Sequence, residues 1–320
     1  MTERPLRPED LFAGEVRLRL WHLAQTNAHS DKPLVLMLHG MRDVSRSLLP
    51  VAETLADSFT VVLLDQRGHG ASDYPGAYSI EHFYFDLHRV IAHLQKEIGQ
   101  RPLALVGHSL GGQIAARFAG LFPELLDALV LIEGLGPPDP HWPADPVART
   151  QDVLRYRAQI LDRYSIPARS RSLPSVEFAA NRLRVNNPRL AADQALLAAR
   201  LATHLQLDEQ GNEQRYWAFD QRVATALVNL STAEGIPLWQ ATRCPTLSIT
   251  GDLSYEYWCA AMGLPDDYSG KFQAGEYEAR ISNFADIEHL RFDNSGHMIH
   301  FDEPQRLARA TQEFLQRKLS

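Results

Sequence analysis

A serine stands at the centre of a short glycine-flanked motif in this 320-residue chain. The motif is Gly107-His108-Ser109-Leu110-Gly111, which fits the pattern G-x-S-x-G. It directly follows a short apolar run and directly precedes a segment with helical spacing, which is the context that the pattern requires. A sharp turn from strand to helix would hold the serine oxygen up at the carboxyl edge of a sheet. The motif therefore predicts Ser109 as a catalytic nucleophile.

Two backbone N–H groups are candidates to stabilise the oxyanion that forms when a serine attacks an acyl group. Leu110 begins the predicted helix, where N–H groups lack partners and the helix dipole is positive. His39-Gly40-Met41 follows another buried apolar run, and a glycine there lets the backbone turn toward the nucleophile. We therefore expect the N–H groups of Met41 and Leu110 to form an oxyanion hole.

The serine also needs a general base, because its hydroxyl is a weak nucleophile at neutral pH. Of the 13 histidines, His297 has the most suitable position. It lies between the last strand-like run and the last helical segment, which places it at the same sheet edge as Ser109. His108 and His39 are expected to pack within their own turns, and His300 is the nearest competitor. His297 is therefore the predicted base.

Alternating strands and helices must position these groups. Apolar runs bounded by glycine or charged residues predict buried strands at residues 33–38, 61–64, 103–106, 129–132, 245–250 and 288–292. Helical spacing covers residues 83–98 and 110–122, and a final helix is expected over 304–318. This alternation indicates an α/β fold with a mostly parallel central sheet, right-handed crossovers and flanking helices.

The alternation breaks at a proline-rich stretch over residues 134–146. From residue 147 to about 230 the pattern is helical throughout, with no strand-like run. We therefore expect a helical cap at residues 137–243, inserted into a core formed by residues 1–136 and 244–320. The connection at residues 254–284 is long for one turn and helix, so an additional lid-like piece is expected there.

The composition excludes several classes of protein. Hydrophobic residues make up 45% and charged residues 22% of the chain, and the net charge is −7, which disfavours nucleic-acid binding. Cys244 and Cys259 are too few for a disulfide framework or a cysteine-rich metal site. The first ten residues lack an apolar segment, and no run approaches 18 apolar residues. The expectation is a cytoplasmic protein that does not bind membranes.

Taken in order, these motifs resemble those of the α/β-hydrolase fold superfamily. The resemblance covers residues 33–135 and 244–318 and rests on His39-Gly40, Asp65-Gln66-Arg67-Gly68-His69-Gly70-Ala71-Ser72, Gly107-His108-Ser109-Leu110-Gly111-Gly112 and Gly296-His297. It implies that residues 65–72 form a structural loop and that the insert is the family's helical cap. The motifs are specific for the fold and much less specific for the substrate.

The third member of the implied catalytic triad departs from the family pattern. Many members carry the acid in a Gly-x-x-Asp segment, but this chain has Gly251-Asp252-Leu253-Ser254, and a serine cannot stabilise an imidazolium. Two carboxylates remain. Asp252 lies two residues early and also suits a turn. Glu133 ends the strand after the nucleophile helix, where some members place their acid. We favour Glu133, and Asp252 stays open as the alternative.

The residues and the resemblance together imply a carboxylesterase-like serine hydrolase that works through an acyl-enzyme intermediate. Thioester, lactone or carbon–carbon hydrolysis and acyl transfer are alternatives on the same site, since fold does not choose among them. Haloalkane dehalogenases and epoxide hydrolases are disfavoured because those relatives use an aspartate nucleophile. A non-catalytic ligand receptor of the same fold is the alternative from another class. No metal or organic cofactor is expected, and the partner is a small acyl substrate.

Overall fold

The computed structural model describes residues 4–24, 31–99, 102–140, 142–165, 172–208, 210–261 and 268–319. Its strands are β1 (Leu6–Ala13), β2 (Val16–Leu23), β3 (Leu34–Leu38), β4 (Thr60–Asp65), β5 (Leu103–His108), β6 (Ala128–Ile132), β7 (Thr203–Leu207), β8 (Glu213–Trp217), β9 (Thr246–Gly251) and β10 (Ile287–Phe292). Its α-helices are α1 (Leu49–Leu55), α2 (Ile80–Ile98), α3 (Leu110–Leu121), α4 (Pro146–Tyr164), α5 (Val176–Asn186), α6 (Ala192–Leu201), α7 (Thr232–Ala241), α8 (Tyr255–Ala261), α9 (Glu276–Ile281), α10 (Ile299–Asp302) and α11 (Pro304–Lys318). Two 3₁₀ segments span Ser45–Leu48 and Gln221–Asn229.

The described residues form one eight-stranded sheet with the order β1-β2-β4-β3-β5-β6-β9-β10. The strands from β4 to β10 in this order run parallel, and β1 and β2 are antiparallel. The predicted mostly parallel α/β sheet is therefore confirmed. Because the parallel strands all end at one edge, the residues that follow β3, β5, β6 and β9 meet there.

Two apolar layers cover the faces of the sheet, which explains why the central strands are continuous apolar runs. In β3 every residue is buried. Leu34, Leu36 and Leu38 face the layer that contains α2 and α3, while Val35 and Met37 face the layer that contains α1 and α11. Successive side chains of a strand point to opposite faces, so a strand buried on both sides needs apolar residues throughout.

The antiparallel hairpin of β1 and β2 extends the sheet, although the sequence analysis does not predict it. The sequence pattern that indicates it is the alternation in β2, where Arg17 and Arg19 alternate with the buried residues Leu18 and Leu20. The turn between the strands contains Gly14 with a φ of 65°. A period of two with one buried face is typical of an edge hairpin, which lacks the apolar runs of the central strands.

Within residues 137–243 the structure contains helices and also a hairpin, so the expectation of no strand there is wrong. β7 and β8 pair antiparallel in a separate two-stranded sheet. Leu205 and Leu207 of β7 are exposed, so the hairpin has no buried apolar run from which to recognise it. The helical pattern expected through about residue 230 is interrupted where α6 ends at Leu201 and β7 begins. The extent of the cap as a domain stays a prediction.

Helix α7 lies inside the expected insert and packs against α3 of the core. The approach is close: a Cβ added to Gly120 would lie 2.0 Å from the backbone oxygen of Leu238. In the connection at residues 254–284 the structure has α8 and α9, and residues 262–267 of the expected lid-like piece lie outside the described part. Across the described ranges, no helix is both long and apolar enough to cross a membrane.

Candidate active site

The turn between β5 and α3 holds Ser109 in a strained backbone conformation, with φ 51° and ψ −116°. The glycines around it allow close backbone contacts. A Cβ on Gly107 would lie 2.5 Å from the Gly111 oxygen, and one on Gly111 would lie 2.6 Å from the His39 oxygen. Any side chain at these positions would push the turn away from the end of β3. The glycines therefore let the turn lie against the loop that follows β3.

Ser109, His297 and Glu133 form one hydrogen-bonded chain. The His297 Nε2 atom lies 2.9 Å from the Ser109 Oγ atom, and His297 Nδ1 lies 3.3 Å from Glu133 Oε2. An imidazole protonated at Nδ1 satisfies both contacts, because the hydroxyl then donates to Nε2 and Nδ1–H donates to the carboxylate. In that arrangement the imidazole is ready to accept the serine proton.

Glu133 is fixed to the neighbouring strand β9 as well as to the histidine. Its Oε1 atom accepts a hydrogen bond of 2.7 Å from the Gly251 N–H, which leaves Oε2 facing His297. Its own N–H donates to the Ile249 oxygen at 2.9 Å. The residue has a φ of 52°, an uncommon conformation for a side chain of this size. These contacts orient the carboxylate toward the imidazole ring.

Asp252, the alternative acid, faces elsewhere. Its Oδ1 atom accepts a hydrogen bond of 2.8 Å from Arg291 Nε, and the carboxylate side chain is 32% exposed. Ser254, at the position where many family members have their acid, is buried close to Glu133. The geometry thus favours Glu133 over Asp252 as the partner of His297.

Two aromatic rings from α8 cover the His297 imidazole. The Tyr257 ring stacks on it with centroids 4.0 Å apart and planes within 8°, and the Trp258 ring contacts it edge-on at 4.4 Å. His108 donates from Nε2 to the His297 backbone oxygen at 2.9 Å. No sequence motif marks Tyr257 or Trp258, since aromatic residues in a helix are usually part of the core. Together these contacts restrain the orientation of the ring.

Burial sets the protonation states of the pair. It lowers the pKa of His297, so the ring is neutral and able to accept a proton at neutral pH. Burial also raises the pKa of Glu133, and the opposing effects come from the Gly251 N–H and the nearby Ser254 hydroxyl. The hydrogen bond from the Gly251 N–H favours the ionised carboxylate and limits the rise in its pKa.

The loop after β3 lies directly against the nucleophile, as expected of an oxyanion loop. A Cβ on Gly40 would lie 3.2 Å from Ser109 Cβ, so the residue before Met41 lies against the nucleophile turn. The Arg42 N–H donates to His69 Nε2 at 3.1 Å, and the Gln66 N–H donates to His39 Nε2 at 3.1 Å. Residues 65–72 therefore support the candidate oxyanion loop, a function in keeping with the structural role expected of them.

Among the described residues, one cluster beneath the turn could hold a metal ion. Asp43, His108 and His300 each offer a ligand atom, and these atoms lie within 4.8 Å of one another. However, the Asp43 carboxylate already accepts hydrogen bonds from Val44 N at 2.8 Å and Ser47 Oγ at 2.6 Å.

A narrow cleft beside His297 connects the insert to the sheet edge. It is lined by Asn187, Pro188, Arg189, Leu190, Leu253, Glu256, Tyr257, Gly296, His297, Met298 and Asp302. An apolar cluster of α5 and α6 packs against Phe301 and Met298, the residues that follow His297 closely. Ser109 is only 7% exposed and His297 only 2%, so the described structure is closed over the reacting groups.

Comparison with known proteins gives both a family and a fold. A model of the alpha/beta hydrolase fold family matches residues 33–304. A thioesterase domain from the curacin biosynthetic pathway superposes with a TM-score of 0.71 over 98% of this chain and 99% of that one. Its sequence identity is 23%, so this likeness shows the fold alone.

Two curated relatives share part of the sequence. An uncharacterised protein of Mycobacterium tuberculosis is 39% identical over 142 residues, which is 42% of this chain and 40% of that protein. A 2-(acetamidomethylene)succinate hydrolase of Mesorhizobium japonicum is 37% identical over 101 residues, which is 32% of this chain and 35% of that enzyme. The matched segments therefore span less than half of each relative's length.

Proposed function

Because the chain belongs to the α/β-hydrolase fold family, a family of hydrolases, we propose that it is a serine hydrolase that cleaves a carboxylic ester. The proposal assigns Ser109 as nucleophile, His297 as general base and Glu133 as the triad acid. The observation that carries it is the continuous chain from Ser109 Oγ through both ring nitrogens of His297 to a buried carboxylate. Such an arrangement is the general requirement for activating a serine.

The proposed reaction follows from the positions of these groups. His297 takes the Ser109 proton at Nε2 while the serine oxygen attacks the acyl carbon. The N–H groups of Met41 and Leu110 stabilise the oxyanion of the tetrahedral intermediate. His297 then protonates the departing alcohol, and Glu133 stabilises the imidazolium in between. A water molecule repeats the sequence on the acyl-enzyme and releases the carboxylic acid and free Ser109.

A covalent probe and a substrate panel test this proposal together. We expect a fluorophosphonate to label the wild-type protein at Ser109 and the enzyme to hydrolyse short-chain esters. Ser109→Ala should abolish both labelling and turnover, whereas Ser282→Ala, at an exposed serine that follows α9, should change neither. Ester hydrolysis at the wild-type rate in Ser109→Ala would refute the assignment. The panel also includes thioesters and lactones, which the same geometry admits.

A purely ligand-binding role is the remaining alternative from another class. A receptor has no need of an activated serine, so the intact hydrogen-bonded chain disfavours it. Absence of both fluorophosphonate labelling and hydrolysis of every panel substrate would favour the receptor over the enzyme.

A further inference from the structure

Arg42 directly follows Met41, the proposed oxyanion donor, and its backbone is strained. Its φ is 59°, a conformation that bulky side chains rarely adopt. The hydrogen bond from its N–H to His69 Nε2 holds the backbone in this state. Backbone strain of this kind costs about 1–3 kcal/mol and clusters at functional sites. It therefore marks Arg42 as a candidate functional residue.

The guanidinium of Arg42 has no acidic partner among the described residues. Its Nε atom is buried and makes no hydrogen bond within that part of the chain. The group lies over the ring of Tyr164, with Cζ 5.1 Å from the centroid. A guanidinium stacked on a ring keeps its N–H donors free around its edge. The adjacent Asp43 carboxylate does not serve as the partner, since it accepts from Val44 and Ser47 instead.

The Arg42 charge also acts on the ring that covers the catalytic histidine. Burial raises the pKa of the Tyr257 hydroxyl, and the Arg42 charge is the main influence that lowers it. Tyr257 stacks on His297, so the charge of Arg42 acts on a ring in direct contact with the proposed base. Tyr164 ends α4 of the insert, which places the guanidinium where the insert meets the proposed reaction centre.

We propose that Arg42 binds a carboxylate of the substrate, so that the preferred substrate is an ester carrying a free carboxylate a few bonds from the scissile carbonyl. This inference rests on the proposed function. Arg42 is half-buried, with its Nε atom shielded from water and without a hydrogen-bond partner among the described residues, and a substrate carboxylate can supply that partner. The planar guanidinium also matches a carboxylate through two parallel hydrogen bonds, which a neutral chain end cannot form.

A matched pair of substrates tests the inference, namely ethyl butyrate and monoethyl succinate, which differ by a terminal methyl or carboxylate group. The readout is the ratio of kcat/KM for the succinate ester to that for the butyrate ester, measured by proton release. Arg42→Asn should lower this ratio about 30-fold, mainly through KM, as expected for losing charged hydrogen bonds. Asparagine suits the position because it tolerates a positive φ. Arg42→Lys should give an intermediate ratio.

Arg163→Gln is the matched control, because Arg163 also lies over the Tyr164 ring, with Cζ 5.3 Å from the centroid, but is exposed. Its ratio should equal that of the wild type. An unchanged ratio in both Arg42 variants would overturn the inference, while continued ester hydrolysis would leave the proposed function standing. Failure of the wild type on both esters would instead count against the proposed function.

A binding measurement separates the carboxylate role of Arg42 from the proposed hydrolase function. Calorimetric titration of monoethyl succinate into Ser109→Ala should show binding without turnover, and Ser109→Ala with Arg42→Asn should bind about tenfold or more weakly. Circular dichroism and thermal unfolding check that each variant is folded. Equal affinity in the two proteins would overturn the carboxylate role of Arg42 whatever the activity data show.

Discussion

At the scale of single residues, the three non-glycine positions with positive φ in the described chain are Arg42, Ser109 and Glu133. All three lie at the candidate site, on the loops that follow β3, β5 and β6. Such conformations persist only where surrounding contacts enforce them. Here those contacts come from His69 for Arg42 and from β9 for Glu133. The backbone is thus strained at three positions of the candidate site.

Substitutions at Ser109 should reveal the free-energy cost of its strained backbone. We expect Ser109→Gly to unfold with a free energy about 1 kcal/mol higher than Ser109→Ala, because only glycine adopts a positive φ without penalty. Both variants lack the hydroxyl, so the comparison isolates the backbone. Urea unfolding of the two proteins measures the difference.

The control pair for this comparison is Ser282→Gly and Ser282→Ala, since Ser282 has an ordinary helical φ of −63°. There the alanine variant should be the more stable, reversing the order. Equal stability of the two Ser109 variants would show that the turn stores no strain.

The carboxylate partner of His297 offers a second test at this scale. We expect Glu133→Gln to lower kcat for ester hydrolysis by about 10³–10⁴-fold, because an amide can neither stabilise the imidazolium nor fix the correct tautomer. Asp252→Asn should change kcat by no more than about threefold, since it breaks only an exposed ion pair. Steady-state kinetics of both variants provide the measurement, and a reversed ranking would move the acid to Asp252.

At the scale of elements, the acid reaches His297 from β6 because β6 and β9 are neighbours. Ile132 pairs with Ile249, so the residues that follow the two strands emerge side by side. Glu133 bonds to the Gly251 N–H, and Ser254 lies close by. A carboxylate on either strand end can therefore face the same imidazole.

The closeness of these two strand ends predicts that the acid can be transferred from position 133 to position 254. The double variant Glu133→Gln with Ser254→Asp should recover kcat about tenfold or more over Glu133→Gln alone, because the new carboxylate starts from the adjacent strand end. Ser254→Asn in the same background supplies the same size without the charge and should give no recovery. Equal kcat in the two double variants would show that position 254 cannot reach His297.

Local sequence is enough to predict the central strands and the turn that carries Ser109. Burial on both faces requires continuous apolar runs, and the turn requires glycines. The hairpins of β1–β2 and β7–β8 escape this reasoning, since one carries an alternating pattern and the other exposes Leu205 and Leu207. The preference for Glu133 over Asp252 rests on the directions of the two side chains, and the sequence holds no information on where the Asp252 side chain points. The stacking of Tyr257 on His297 likewise depends on tertiary packing.

At the scale of the whole molecule, a group of histidines is sealed inside the fold. Burial lowers the pKa of His69, His108, His297 and His300. A lowered folded-state pKa means that the unfolded chain binds these protons first as the pH falls below about 6.5. The folded protein therefore loses stability on acidification, and Glu133, with its raised pKa, offsets part of the loss.

We expect the free energy of unfolding to fall between pH 7.5 and pH 5.5, by up to about 1.4 kcal/mol for each histidine that stays neutral in the folded protein. Glu133, with its raised pKa, opposes part of this fall. Urea titrations at a series of pH values measure it. The slope of the unfolding free energy against pH reports how many protons are taken up on unfolding. His300→Gln should lower this number by about one, and His88→Gln, at an exposed position, should leave it unchanged. Stability that stays level or rises over this range would contradict the expectation.

The closed state of the site has a consequence for the timing of turnover. Ser109 is 7% exposed and His297 is 2% exposed, and α5 and α6 pack against Phe301 and Met298, close to the histidine. For the proposed hydrolysis, a substrate would therefore need the insert to move before it reaches the serine oxygen, and the rate of that opening would set an upper limit on turnover.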